Sequence, residues 1–496
     1  MSYINKVQKL RSKLGLVVLF VFSIIGLLFS VIEILGGVSG GQYWPTKIFI
    51  ASFLWLIIYF SAFYSYFRSL YLFSSAYLIG VALFHLGLIY LITFGLAEVH
   101  SWVKSTTSIR MEIAGWYVFL SFCSFGIGAV IGVFTSRRNN ISVKINNVDL
   151  KKTNNFIFLQ GVGLSLAALI FLVWAISSYG NILAYSREEL FNVRTDTRGF
   201  GVFMMVLPGA LILLTVSAST KIQRLFVYPL TLFFFLLMML SGYRSAALFP
   251  SLVGIILWVK TGRKIPAVVA LSFLSFVLVA IAVVGVFRQM GAYQDLGTEQ
   301  LASSYEKVNV VDSFVEMGAS FGVLSEVIKF IPNKDPFRYG YSYWQALKEM
   351  IPNIGFSIDS SKSRRNKSSK ASFDKSALME LTPADWITYK LNRWKFDHGQ
   401  GVGFSAIAEP YFNFGIVGVI GYFGVLGFLL SRLDQKNIIL HPYVYLLVGS
   451  VFWTFMRTVR NDFINFTKPL GFIIIILLIY NLGLVVLGKR VKFSIK

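Results

Sequence analysis

The chain is a succession of apolar segments, each about long enough to cross a bilayer, interrupted once by a long polar insert at residues 288–402. A run of about 20 apolar residues that enters hydrocarbon must satisfy its own backbone polar groups, so each such run predicts a transmembrane helix. The runs fall at 14–35, 47–66, 71–95, 113–134, 155–178, 201–218, 225–242, 245–260, 266–287, 415–432, 438–456 and 466–488. The pattern predicts an all-α, polytopic integral membrane protein of about 12 transmembrane helices. Helices 1–9 occupy residues 1–287, one large loop occupies 288–402, and helices 10–12 occupy 403–496.

Composition narrows the partners. The chain is 56% hydrophobic and 14% charged, where a soluble domain is about 25% charged. Its formal net charge of +23 comes from basic residues scattered between apolar runs. Such residues act as topology signals and contacts to membrane lipids, and nucleic acid is not an expected partner. The single cysteine, Cys123, lies inside an apolar run, which excludes an internal disulfide, and four histidines argue against a zinc site. The run 14–35 follows Lys6, Lys9, Arg11 and Lys13, exceeds a signal-peptide core and lacks a small-residue cleavage site, so it reads as a retained first helix.

Basic residues also set the expected orientation. With the N-terminus inside, every inward loop holds a Lys or Arg: Arg68, Arg137 and Arg138, Lys221 and Arg224, Arg263 and Lys264, Arg432 and Lys436, then Lys489 and Arg490. Both termini are then cytoplasmic and the large loop faces outward. No internal repeat is visible, and the spans carry little charge near their middles.

Within the insert, Val311, Phe314, Val315, Phe321, Leu324, Val327, Ile328 and Ile331 recur at helical spacing. They predict an amphipathic helix on the membrane surface or under a small cap. A second helix is expected over 339–350, stopped at Ile351-Pro352, and the apolar-free stretch 360–370 is expected to be a mobile tip.

Arginines in so apolar a chain mark function by default. Arg244 sits with Tyr243 in a tight outward Ser241-Gly-Tyr-Arg-Ser turn. The following run, 245–259, rises only about 22 Å at about 1.5 Å per residue, against a hydrocarbon core of about 30 Å. That places Arg244 in a recess among helices, unless it snorkels to the headgroups. Arg187, Arg194 and Arg198 lie in the preceding outward loop, and Arg288 ends the ninth run at the same face. Guanidinium forks match phosphate oxygens, so Arg194, Arg198, Arg244 and Arg288, with Tyr243, are the candidate diphosphate site. Arg457, Arg460 and Asp462 read as an ion pair anchoring helix ends, with a role at the site as the alternative.

Where the insert rejoins the membrane, the sequence runs Asp397-His398-Gly-Gln-Gly401-Val-Gly403-Phe-Ser405, then Glu409-Pro-Tyr411-Phe-Asn-Phe-Gly415. Dense glycines allow close backbone approach to a ligand, and His398 can take a proton from a hydroxyl near neutral pH, oriented by Asp397. Glu409 is the alternative base. Tyr341, Trp344, Trp386, Trp394 and Tyr411 are candidates for stacking on sugar faces.

The Gly-x-Gly-x-Ser-x-x-x-Glu-x-x-x-x-Phe-Gly pattern from Gly401 to Gly415, followed by Gly418, resembles the end of the large loop in Wzy-type O-antigen and capsule repeat-unit polymerases. The Ser241-Gly-Tyr-Arg244 turn and the Tyr339-Gly-Tyr-Ser segment support the likeness, which covers the second half of the chain. The resemblance implies a GT-C-like, metal-independent membrane glycosyltransferase without cofactors, in the bacterial cytoplasmic (inner) membrane. Its donor and acceptor would be undecaprenyl-diphosphate-linked glycans, and a chain-length regulator and a flippase would be partners. The related O-antigen ligases also carry a loop histidine, which points to His398, although their His-Asn pair is absent here. A ligase-like transferase, or a flippase without chemistry, remains the alternative.

Overall fold

The computed structural model describes residues 2–38, 40–97, 107–135, 147–179, 198–240, 244–266, 317–350, 378–397, 401–435, 442–471 and 473–474, with scattered positions between 268 and 315. Among these residues the secondary structure is helical, with no strand. In chain order the helices are α1 (Ser2–Gly36), α2 (Trp44–Phe67), α3 (Phe73–His85), α4 (Gly87–Thr93), α5 (Ser108–Thr135), α6 (Asn147–Tyr179), α7 (Arg198–Ser217), α8 (Lys221–Leu240) and α9 (Arg244–Lys260). The insert contributes α10 (Ala319–Phe330), α11 (Tyr341–Lys348), α12 (Pro383–Leu391) and α13 (Arg393–Asp397). Then come α14 (Ala408–Gln435), α15 (Pro442–Met456) and a 3₁₀ turn at Arg457–Val459.

Six described helices are long and apolar enough to cross a membrane, or seven if the bent α3–α4 pair is one span. Shorter apolar helices lie at Val206–Ser217, Ser245–Lys260 and Leu447–Val459. The chain is therefore an all-helical integral membrane protein. Among the described residues two expected spans differ most, while the spans 266–287 and 466–488 lie largely outside the described residues. Residues 71–95 form two helices bent by 52° between His85 and Gly87. The tenth span begins at Ala408 rather than 415, because a turn of helix precedes a non-helical Gly415.

The centre of the bundle is the pair α5–α14. A Cβ on Gly128 would overlap the Gly424 carbonyl, and one on Gly427 would overlap the Phe125 carbonyl, so the two backbones touch where glycine leaves room. Without water to drive apolar association, such close approach is how membrane helices gain packing contacts. Aromatic side chains fill the next layer, with Tyr59 stacked on Phe63 at 4.3 Å and Tyr77 on Phe455 at 5.2 Å.

At one end of the bundle the buried carboxylate of Asp434 accepts hydrogen bonds from Phe73 N (2.8 Å), Ser74 N (3.0 Å) and Ser74 Oγ (2.6 Å). It thereby caps the exposed amides that open α3, where a negative charge is favoured. Lys260, at the end of α9, lies 3.6 Å away as its ion-pair partner. Burying a carboxylate is costly unless it is paired and fully hydrogen-bonded, and here both conditions hold. Beside it, Arg263 donates to the carbonyls of Thr215 (2.8 Å) and Ala218, closing the C-terminus of α7 and stacking over Trp258 at 4.2 Å. A capping box opens α8, with Gln223 N on Thr220 Oγ1 and the Gln223 amide oxygen accepting from Thr220 N.

These contacts fix the direction of three helices. The C-terminal ends of α7, α9 and α14 all lie at the Asp434 end, so Arg198, Arg244 and Ala408 begin their helices at the opposite end.

Within the described part of the insert, α10 is packed into the bundle. Phe321, Leu324, Val327 and Ile331 of the expected amphipathic helix are fully buried, and Phe321 stacks on Trp44 at 6.0 Å. Of the two placements expected for α10, the covered one applies.

Candidate functional site

Three stretches distant in sequence meet at the Ala408 end of α14: residues 337–345 of the insert, the strap 401–408, and residues 457–467. The strap is pinned by its backbone. Val402 N donates to Thr388 Oγ1 (3.1 Å), Phe404 N to Arg460 O (2.8 Å) and Ala406 N to Val459 O (3.4 Å). Gly403 turns with φ +81°, and a Cβ there would press on the Arg460 carbonyl at 3.1 Å, which explains the glycine.

Ser405 opens α14. Its hydroxyl accepts from Ile407 N (3.2 Å) and Ala408 N (3.1 Å) and lies 2.7 Å from His85 Nε2. His85 Nδ1 is 3.0 Å from the Val81 carbonyl, which can only accept, so Nδ1 carries the proton and Nε2 accepts from Ser405. With its lone pairs on two amides and its side chain fully buried, Ser405 caps α14. His85 is the residue that sequence reasoning missed: an imidazole inside an apolar run, itself a signal. Replacing His85 with leucine is expected to leave the buried Ser405 hydroxyl without an acceptor, costing about 1–3 kcal/mol. A double-mutant cycle with Ser405→Ala, read by thermal unfolding in detergent, should show that the two losses do not add.

Glu409 is 4% exposed. Its Oε1 accepts from Ser342 Oγ (2.9 Å) and its Oε2 from Phe463 N (2.7 Å). Asn413, one turn on, donates to Ser342 Oγ (2.7 Å) and to the Glu409 carbonyl (2.9 Å), while its Oδ1 accepts from Gly340 N (3.0 Å). Arg338 N and Tyr339 N extend the seam onto the carbonyls of Phe412 and Asn413. The Arg338 guanidinium lies over the Phe412 ring at 5.1 Å and donates to the carbonyls of Leu378 (2.8 Å) and Met379. Burial pulls its pKa down to about 10, so it stays charged at neutral pH. Asp462 is held by Ala384 N (3.2 Å) and Asn465 Nδ2 (2.7 Å) and is raised by burial. The whole forms one buried polar node that locks the insert to the membrane helices. The 457–462 segment touches the strap through the carbonyls of Val459 and Arg460 and touches α12 through the Asp462 carboxylate.

The other expected residues are distributed as follows. Tyr341 and Trp344 are exposed on α11, 42% and 56% respectively, with Lys348 5.4 Å from the Trp344 ring. Tyr411 is 5% exposed; its hydroxyl donates to Ile331 O (3.0 Å) and its ring meets Tyr117 edge-on at 4.9 Å. A sugar would reach Tyr411 only if those contacts opened. Trp386, also read as a stacking candidate, is buried against Phe412. Arg198 and Arg244 are the first residues of α7 and α9, at the same end of the bundle as Glu409. Arg194, Tyr243, Arg288 and His398 lie outside the described residues. Among the described residues no group of His, Cys, Asp and Glu is arranged to hold a metal ion.

The family model for the O-antigen polysaccharide polymerase Wzy matches residues 14–490. The chain belongs to the Wzy family. The chain is also similar to Protein CapE of Staphylococcus aureus, 25% identical over 360 residues, which covers 69% of this chain and 71% of CapE. No solved structure matches. The Wzy pattern from Gly401 to Gly415 therefore has a physical reading here: Gly403 makes the strap turn, Ser405 caps α14, Glu409 bridges Ser342 to Phe463, and Gly415 makes the kink.

Proposed function

We propose that this Wzy-family protein joins undecaprenyl-diphosphate-linked oligosaccharide repeat units into O-antigen or capsular polysaccharide. The transfer takes place at the outer face of the cytoplasmic membrane, in a GT-C-like bundle of about 12 spans with both termini inside. The family match along nearly the whole chain carries this reading. The growing glycan leaves its lipid diphosphate for the non-reducing end of a new lipid-linked unit, and undecaprenyl diphosphate departs. A diphosphate is already a good leaving group, so the protein needs positive charge to hold it and a base for the acceptor hydroxyl. Arg194, Arg198, Arg244 and Arg288 supply the charge, with Tyr243 beside them. His398 takes the proton, and Glu409, both of whose oxygens are engaged, ties Ser342 to Phe463 beside the strap. Tyr341 and Trp344 offer exposed rings to the glycan. Neither metal nor cofactor belongs to this reading; a flippase and a chain-length regulator supply and limit the reaction.

Deletion of the gene tests the reading through the surface glycan. A polymerase null leaves single repeat units on the surface, restored to long chains by the wild-type gene. Long glycan accumulating on undecaprenyl diphosphate would instead mean a ligase, and single units trapped inside a flippase. Separately, Arg244→Ala, Arg288→Ala and His398→Ala should each shorten or abolish the chains. Full-length chains from all three, with expression verified, would remove the proposed site.

A further inference from the structure

A cavity of about 790 Å³ lies among α3, α7, α8 and α9, with Met317 and Met456 completing its wall. Its volume falls within the range of ligand sites, about 300–1,000 Å³, but its lining is hydrocarbon and aromatic almost throughout. It is also long. The α9 residues lining it run from Leu248 to Trp258, about 15 Å of helix rise and half of a hydrocarbon core of about 30 Å. One end, at Trp258 and Lys264, borders the Arg263 cap on α7; the other, at Phe84, borders the buried node.

The Phe84 end carries a fixed cation. The Arg460 guanidinium lies 5.8 Å from the centroid of the Phe84 ring, and the Arg460 backbone is held by Phe404 N. Arg460 is thus positioned by the same strap that leads into Glu409, and its guanidinium stands over Phe84, a residue of the cleft wall. A ligand complementary to this arrangement has a long hydrocarbon chain and an anionic head at one end. Guanidinium is the side chain suited to phosphate oxygens in a partly desolvated setting.

We propose that this cleft takes the polyprenyl chain of a lipid diphosphate substrate, with Arg460 at its mouth binding the diphosphate. The proposal rests on the polymerase reading and adds to it a hydrocarbon subsite and a cation outside the four arginines of the outward loops and turns. It also gives the 457–462 segment a binding task beyond anchoring helix ends.

Gly254 provides a clean probe. It lines the cleft, and a Cβ added there meets nothing within 4 Å, so a side chain can start there without displacing packed atoms. The full-length protein in detergent is assayed by native mass spectrometry against undecaprenyl diphosphate, phosphatidylglycerol and inorganic pyrophosphate. Gly254→Phe and Arg460→Ala should each weaken undecaprenyl diphosphate at least tenfold, with Arg460→Lys intermediate and each variant still folded by size exclusion. Pyrophosphate binding should fall with Arg460→Ala and persist in Gly254→Phe. Gly254→Leu serves if the phenylalanine variant unfolds. Wild-type retention of undecaprenyl diphosphate by both the Gly254 and Arg460 variants would overturn the proposal. So would displacement by an equal concentration of phosphatidylglycerol, which would make the cleft a general lipid site. Failure here, with polymer still lost on gene deletion, discards the cleft alone. Unchanged polymer on deletion discards the enzymatic reading.

Discussion

Replacing Glu409 with alanine is expected to remove most of the folded protein, whereas Glu409→Gln should fold and retain polymer within a few-fold of wild type. Alanine leaves Ser342 Oγ and Phe463 N facing a void in a site that is 4% exposed. Each orphaned donor costs about 1–3 kcal/mol, a large share of a total stability of about 5–15 kcal/mol. Glutamine keeps the shape. Its amide oxygen can accept from Phe463 N, and its NH₂ can donate to Ser342 Oγ, whose second lone pair already takes Asn413 Nδ2. The pair of variants therefore separates the hydrogen-bonding role from a proton-transfer role. Detergent-solubilised protein on size exclusion measures the first and the length of surface glycan measures the second. A folded Glu409→Gln protein that makes no polymer would move the base from His398 to Glu409.

How much of this was legible in the sequence depends on the range of the interaction. Hydropathy along one helix is a local property, so α1, α2, α5 and the part of α14 beyond Gly415 could be read from apolar runs alone. The break between α3 and α4 could not. It stands where His85 turns from its own helix to Ser405, 320 residues away in sequence. Asp434 was hidden for the same reason: between Arg432 and Lys436 it looks like part of a loop charge cluster. Its partners are the amides of Phe73 and Ser74 and the ammonium of Lys260, and no periodicity connects them.

The site shows the same division. Glu409 and the glycines stood out because their spacing resembles a family pattern, yet the pattern could not say what they touch. Ser342 and Asn413, which complete the node with Glu409, lie in the Tyr339–Ser342 and Glu409–Gly415 segments that stood out, yet nothing in either segment marks them as partners. Aromatic residues read as sugar-stacking candidates divide once burial is known: Tyr341 and Trp344 stay exposed, whereas Tyr411 and Trp386 are absorbed into packing. Side-chain chemistry suggests what a ring can do, and only the fold decides whether it is available.

The kink in α14 carries the other large expectation. Gly415 adopts φ 60°, ψ −143°, a conformation closed to residues with a Cβ, and a Cβ there would also stand 3.2 Å from the Phe337 ring. Strain of that kind costs about 1–3 kcal/mol. The kink folds the Glu409–Phe414 turn back so closely that a Cβ on Gly418 would overlap the Pro410 carbonyl and stand 2.9 Å from Phe414 Cβ. Since a helix interior ordinarily gains about 0.5–1 kcal/mol on Gly→Ala, sign distinguishes the positions. Gly421→Ala, where nothing lies within 4 Å, should be neutral or raise the unfolding temperature. Gly415→Ala and Gly418→Ala should lower it and shorten the glycan together, because straightening α14 draws Glu409 and Asn413 away from Ser342 and Gly340. Thermal unfolding of the three purified variants beside the glycan ladder of each strain makes the comparison. An alanine at 415 or 418 as benign as one at 421 would mean that the kink does not hold the node in place.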